Sequence, residues 1–420
     1  MKHLSENKKI YWLFLEPFAH SVTHGNNVLI YNSITGRVIE YQDAPGLSKL
    51  MSDLDNSSTG FTARIDPDNE TREVRDFISD LRNSHSGDLI KARNDIRPVV
   101  IHPRPILVNY PPPTDFPDFN TGDYLKNIYF NLNASETPAD QGYIYAMYQF
   151  PCLAFNSAGY IEMPAADVLN RYLPFDGISG IGIDLTGADI TRYRELDALI
   201  PYLKKLISPI TFHIPLPCHD PSAIEKIIRL KNSRISFYIT LPYGPSVLPD
   251  ILNNTYFQKK KNHFDFNFII RSLEEYNLIN GVLAETGLKR FFFLPYYSKA
   301  NLEFFKENIF LAKNDILGSK PDQRQVYSRQ VLNDPSFGKL YIMPGGEVFS
   351  NMNEEPLGNI YNETIPDLVK KEIYTGKGWN LNRMHVQPCS ACLYRFLCPP
   401  IGNYERFMQR FNFCDILYQC

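Results

Sequence analysis

The sequence predicts an α/β fold in which an open, partial barrel stands between a small N-terminal α+β module and a cysteine-rich C-terminal extension. Three observations carry this reading. Apolar runs alternate with helical patterns from about residue 124 to 300, short β-rich runs separated by turn residues fill residues 10–41, and five of the seven cysteines fall between Cys389 and Cys420. Continuous apolar runs alternating with helices are the pattern of parallel strands buried on both faces. Six such units are too few to close an eight-stranded barrel, so the expected form is an open, TIM-like (β/α)6 arrangement.

The N-terminal module spans residues 1–97. Trp12–Leu15, Val28–Tyr31 and Arg37–Tyr41 are its strands, and Gly25-Asn26-Asn27 and Thr35-Gly36 are the turns between them. Leu47, Leu50, Met51 and Leu54 occupy one face of a helix. Val74, Phe77, Ile78 and Leu81 do the same in a second, after a cap region at Asp68-Asn69. Three strands followed by helices outline a winged-helix-like unit. Residues 98–123 hold the proline-rich stretch from Pro98 to Pro117, read as a stiff connector.

The barrel occupies residues 124–329. Its strands are expected at Leu125–Leu132, Gly180–Leu185, Ile210–Leu216, Ile235–Leu241, Phe264–Ile270 and Arg290–Leu294, with helical patterns such as Tyr193–Ile207 and Pro221–Leu230 between them. Pro215, Pro217, Pro242 and Pro295 mark strand C-terminal ends, where folds of this kind gather their sites. Residues 330–420 open with a hairpin, Lys339–Met343 and Glu347–Phe349 around Pro344-Gly345-Gly346. A helix around Ile365–Tyr374 follows, then the cysteines.

Composition excludes several classes of function. Hydrophobic residues are 44%, enough for ordinary cores and too many for a disordered chain. Lys and Arg number 43 against 46 Asp and Glu, so the basic excess of a nucleic-acid binder is missing. The apolar run Ile10–Leu15 is too short for a signal-peptide core, and no later run reaches membrane-spanning length, so a cytoplasmic location is expected and no membrane partner. Clustered cysteines in that compartment bind metal or a cluster more often than they form disulfides.

Cys389-Ser-Ala-Cys392 is a turn that can direct two thiolates at one centre, and Cys398 and Cys414 extend the set. Thiolates suit zinc and iron–sulfur clusters alike. Zinc ribbons normally repeat a second short-spaced pair, whereas here the second half is spread out and His385 precedes the cluster. Four spread cysteines favour iron–sulfur ligation, with zinc as the alternative.

The spacing Cys389-x2-Cys392-x5-Cys398 resembles the core of the SPASM domain, the C-terminal extension of many radical-SAM peptide-modifying enzymes. Leu357-Gly-Asn-Ile360, the hairpin before it and Leu397–Glu405 are also similar. The resemblance implies one 4Fe–4S cluster on Cys389, Cys392, Cys398 and Cys414, with Cys420 as a possible substitute for Cys414. Positions that would carry the family's first auxiliary cluster hold Asn351 and Gly402 instead, so that cluster is expected to be missing.

The family's CxxxCxxC is also missing. The loop 133–142 has no cysteine, Cys152 stands alone, and Thr186-Gly187-Ala188 replaces the Gly-Gly-Glu that contacts S-adenosylmethionine. The chain thus resembles a pseudo-radical-SAM protein of the GG-Bacteroidales peptide-maturation type. That implies no functional S-adenosylmethionine site, no catalytic residues, and partners in a precursor-peptide leader and an active radical-SAM maturase. The N-terminal unit is similar to peptide-recognition elements, which add a leader peptide as an edge strand. Its groove would be formed by Arg37, Val38, Ile39, Glu40 and Tyr41 with Val74, Phe77 and Ile78, although for the individual apolar side chains the module's own core is the favoured reading. Two alternatives stand beside this: an enzyme that has reused cleft residues such as Asp184, Cys218 and His219, and a zinc-stabilised interaction protein.

Overall fold

The computed structural model describes residues 10–416 except 67, 92–95, 101–119, 135–142, 144, 154–160, 179, 217, 219, 241–263, 287 and 289. Most of the proline-rich connector, the greater part of loop 133–142, His219 and Cys420 therefore lie outside the described residues.

The N-terminal region holds two antiparallel three-stranded sheets where the sequence suggests one. Strand β1 (Tyr11–Leu15) is the centre of the sheet β5–β1–β6, with β5 (Thr62–Ile65) and β6 (Gly87–Lys91) as its edges. The second sheet is β2–β3–β4, made of β2 (Ala19–His24), β3 (Asn27–Asn32) and β4 (Val38–Tyr41). Trp12–Leu15 thus leaves the sheet predicted for it and pairs with segments about fifty and seventy-five residues away. β2 carries little apolar signal of its own, since Ala19 and Val22 are its only hydrophobic residues. Pairing with β3 at Val22↔Leu29 and His20↔Tyr31 defines it. Helices α1 (Pro45–Leu54) and α2 (Arg72–Asn83) bury Leu47, Leu50, Met51, Leu54 and Val74, Phe77, Ile78, Leu81 as their spacing predicts. The α2 cap is Thr71, whose hydroxyl accepts from Val74 N at 3.3 Å, and not Asp68-Asn69.

The rest of the chain is built on one nine-stranded, mostly parallel sheet. Its strands are β7 (Asn127–Asn131), β10 (Gly182–Thr186), β11 (Ile210–Leu216), β12 (Ser233–Thr240), β13 (Phe264–Ile270), β14 (Phe291–Pro295), β15 (Lys339–Ile342), β16 (Glu347–Phe349) and β17 (Gly358–Asn359). The order is β14–β13–β12–β11–β10–β7–β15–β16–β17, parallel throughout except for the antiparallel β15–β16–β17 end. A small pair, β8 (Asn133–Ala134) and β9 (Ile161–Glu162), flanks it. Helices follow in chain order: α3 (Ala146–Gln149), α4 (Ala165–Tyr172), α5 (Leu196–Leu203), α6 (Pro221–Ile228), α7 (Leu273–Thr286), α8 (Leu302–Asn308), α9 (Lys313–Gly318), α10 (Gln323–Val331), α11 (Ile365–Thr375) and α12 (Asn403–Met408).

Because strand side chains alternate, this sheet has two unlike faces. Ile128, Phe130, Ile183, Leu185, Phe212, Ile214, Ile235 and Phe237 pack with α4, α5 and α6 into the main core. The opposite face carries Asn127, Tyr129 and Asn131, then Asp184 and Thr186, His213, Ser236 and Tyr238, and Asn267, most of them buried. Among the described residues no helix is long and apolar enough to cross a membrane.

One buried acid gives this core a pH signature. Glu372 on α11 accepts hydrogen bonds from Ser350 Oγ and Trp379 N, each at 2.6 Å. Burial pushes its carboxyl from 4.5 up to about 6. Between those values the folded chain keeps a proton that the unfolded chain has released, so stability from this group falls as pH rises through the window. Glu372→Gln should flatten that slope and raise stability at neutral pH by ~2 kcal/mol. Urea midpoints measured on both sides of the window check this.

Candidate functional site: a cysteine pocket packed against the N-terminal sheet

Cys389, Cys392, Cys398 and Cys414 are all buried and all border one cavity, together with Arg383, Tyr394, Arg395, Ile316, Phe413 and Ile416. Local structure sets each of them. Cys389–Ala391 is a single 3-10 turn, closed by Cys392 N donating to Cys389 O at 3.0 Å. Cys398 N donates to Tyr394 O at 2.8 Å, ending a second turn. Cys414 comes from sixteen residues further along the chain and is tied in where Leu311 N donates to Phe413 O at 2.8 Å.

Charge is arranged around the thiols. Arg383 donates to Pro399 O at 2.7 Å, Phe411 O at 2.9 Å, Glu405 Oε1 at 3.0 Å and Oε2 at 3.2 Å, and Cys389 Sγ at 3.4 Å. Burial pushes the Cys389 thiol up and Arg383 works against it. Burial takes Cys398 up to about 12, and raises Cys414 as well. Uncoordinated, these thiols stay protonated at neutral pH and are poor nucleophiles, so ligation must displace their protons. Arg383 and Glu405 belong to this site and were not legible in the sequence. A single Arg and a single Glu twenty-two positions apart carry no signal until the fold joins them.

The positions that would complete a further cluster are also brought together. Asn351 donates to Asn403 Oδ1 at 2.9 Å, next to Gly402, and accepts from Asn353 N at 3.0 Å. Hydrogen-bonded carboxamides therefore fill this place.

The cysteine pocket packs directly on the N-terminal region. Val22, Leu29 and Tyr31 from the sheet β2–β3–β4 share one core with Cys392, Leu393, Tyr394, Cys398, Cys414 and Ile416, and Val38 packs against it. Tyr31 OH donates to Pro321 O at 2.7 Å, and Gln323 Nε2 to Pro17 O at 2.9 Å. Glu40 on β4 receives Lys313 Nζ at 2.8 Å, and that ammonium lies 5.1 Å from the Tyr394 ring.

β4 is an outer strand: it pairs with β3 alone among the described residues. Asn32 N donates to Arg37 O at 3.0 Å, so the alternation of an antiparallel ladder turns the N–H and C=O groups of Val38 and Glu40 away from β3. α2 runs beside that edge. Arg37 Nη1 reaches Asn83 O at 2.6 Å and Tyr41 OH reaches Asp80 Oδ2 at 2.6 Å, two long side chains bridging strand and helix. Arg37 is exposed, and Val38, Glu40 and Tyr41 are half-buried. Ile39, Val74, Phe77 and Ile78 are different. They are buried in the module's own core at 9%, 4%, 0% and 7% exposure, so they support this edge from beneath and do not offer their faces to a partner.

Cys218 and Asp220 do not form a reactive pair. Burial pushes the Cys218 thiol up to about 11, and Asp220 caps α6 by accepting from Ser222 N at 2.9 Å. Asp184 lies instead on the polar face of the large sheet, hydrogen-bonded to His213 and Asn127.

No family model and no curated protein matches the chain. Among solved structures it is similar to SuiB of Streptococcus suis, at 14% identity and a TM-score of 0.47, over 96% of this chain and all of that one. The same protein bound to its precursor peptide SuiA matches at 14% identity and 0.47, over 97% of this chain and all of that one. Bound to S-adenosylmethionine it matches at 12% and 0.41, again over 97% of this chain and all of the other.

Proposed function

We propose that the chain is a catalytically inactive, radical-SAM-like accessory protein of a ribosomal peptide maturation system. It binds a precursor-peptide leader, a partner maturase or both, and carries one structural 4Fe–4S cluster on Cys389, Cys392, Cys398 and Cys414. The observation that carries this reading is the packing of the four-cysteine pocket against the sheet whose outer strand, β4, is paired on one side alone among the described residues. The six parallel strands β7, β10, β11, β12, β13 and β14 lie side by side in chain order, which supports an open partial barrel as the scaffold between them.

The donor set favours a cluster over zinc. A single zinc ion draws its thiolates to about 2.3 Å, so its ligands must converge on one point. The four thiols border one cavity, and it is their spread spacing along the chain, without a second short-spaced pair, that favours a cluster. In a four-iron cluster each thiolate binds a different iron, and the ligands stand further apart. All four irons are then occupied by protein, so the cluster would serve folding and leave no iron for substrate. Radical chemistry is not assigned because the sequence lacks the three cysteines that would start it. A broad visible band and about four irons per chain in anaerobic protein are expected; a colourless chain holding zinc overturns the cluster.

The peptide would enter as a strand added to β4. Val38→Pro removes an outward N–H without breaking a bond to β3, so it tests the edge itself. Leader binding measured by calorimetry should weaken by about tenfold, near 1.4 kcal/mol, while the melting temperature moves little. Unchanged affinity places the peptide elsewhere.

A further inference from the structure

We propose that residues 311–323 form a clasp between the cysteine pocket and the outer strand β4, so that filling the pocket raises the affinity of β4 for an added peptide strand. This rests on the cluster and the strand addition proposed above, and adds that each strengthens the other. One side of the clasp builds the pocket. Leu311 N donates to Phe413 O at 2.8 Å and Leu311 O accepts from Asp415 N at 3.4 Å, so the two bonds bracket Cys414. Ile316 borders the cavity itself. Ser319 Oγ donates to the carbonyl of Leu397 at 3.3 Å, immediately before Cys398.

The other side holds the hairpin of β3 and β4. Lys313, the first residue of α9, donates from Nζ to Glu40 Oε2 at 2.8 Å. The stem of Lys320 packs on Gly36 between the two strands, where a Cβ would meet its Cδ at 3.0 Å. Tyr31 OH donates to Pro321 O at 2.7 Å. The clasp therefore touches the hairpin on β3, at its turn and on β4. Glu40 joins the two functions, since its backbone N–H and C=O face away from β3 while Lys313 holds its carboxylate. The same ammonium lies 5.1 Å from the Tyr394 ring. Tyr394 N in turn donates to Cys392 Sγ at 3.4 Å, and its carbonyl accepts from Cys398 N at 2.8 Å.

With all four thiolates ligated, Cys398 and Cys414 are tied to Cys389 and Cys392, and the two backbone segments on which the clasp rests are fixed. A seated clasp presents Glu40 in one position for a strand to pair with, so less ordering remains to be done when the peptide arrives. Two sites that bias one element in the same direction bind cooperatively, and linkage makes the effect mutual. A peptide on β4 must then retain the centre in the pocket by the same factor that the centre favours the peptide. Lys313 is a positioning residue in this scheme, because it touches neither the thiols nor the added strand.

The test uses the full chain, loaded with iron under nitrogen, and a short peptide selected on it from a random library and no longer bound after Val38→Pro. Removing the iron with ferricyanide and a chelator should weaken that peptide about tenfold. Saturating peptide should raise the chelator concentration that removes half of the iron by a similar factor. Lys313→Met should keep its iron, bind the peptide when loaded within about twofold of the stripped chain, and lose the protection of iron by peptide. A lysine that only steadied the hairpin would lower peptide affinity and leave that protection in place. Equal peptide affinity in loaded and stripped chains overturns the coupling, and effects undiminished in Lys313→Met overturn the clasp. A chain that takes up no iron removes the cluster, and one that yields no peptide lost with Val38→Pro removes the strand addition; either removes this proposal with it. Lys313→Met is measured with iron in place, so it decides the matter even where the stripped chain unfolds.

Discussion

Cys392→Ala is expected to strip iron from the chain and to cost about 4–5 kcal/mol or more, the scale reached when a folded unit loses its metal. Cys392 is buried, and its sulfur accepts from Tyr394 N at 3.4 Å, so the substitution removes both a ligand and the anchor of the following turn. Residues 380–416 should lose protease resistance first. The effect should then cross to the N-terminal region, because Val22, Leu29 and Tyr31 share the same core. Hydrogen exchange at β3 and β4 should accelerate, while β10 and β11 in the centre of the large sheet keep their protection. Iron analysis, limited proteolysis and exchange mapped by mass spectrometry read the three parts separately. If iron content and protease resistance both match the unsubstituted chain, the cluster assignment is wrong.

Arg383→Ala should be nearly as costly, at about 3–5 kcal/mol, because it leaves a buried carboxylate without its counter-charge. The guanidinium and Glu405 are each about 6% exposed. The same group also satisfies the carbonyls of Pro399, next to Cys398, and of Phe411, which also accepts from Cys389 Sγ. Losing it should therefore loosen the chain around both cysteines. Arg383→Lys keeps the charge but not the planar fork, and should recover only part of the loss. Denaturant unfolding of Arg383→Ala, Glu405→Gln and the double variant gives the coupling directly. A single-variant cost under about 1 kcal/mol would show that the pair is dispensable.

Much of the large sheet was legible because its strands announce themselves. Ile210–Leu216 and Phe264–Ile270 have the bounds expected of them, since runs buried on both faces have no alternation to blur their ends. The hairpin β15–β16 was equally plain, with Gly346 at a φ of +89° supplying the turn between them. The N-terminal sheets were less so. Trp12–Leu15 looks like a strand by composition, but nothing local says that its neighbours are Thr62–Ile65 and Gly87–Lys91. Likewise Val74, Phe77 and Ile78 look the same in sequence whether they face a partner or their own core, and packing decided for the core.

The sequence by itself determined the periodicities, the clustering of cysteines and the missing CxxxCxxC, because each is a property of spacing along the chain. Tertiary structure alone decided which distant groups meet. Arg383 joins Glu405 and Cys389, Glu40 joins Lys313 beside Tyr394, and His213 joins Asp184, which spacing had left as unrelated residues. Polar and charged contacts of this kind depend on a few ångströms between segments that are far apart in sequence, and burial strengthens them only once the fold has excluded water.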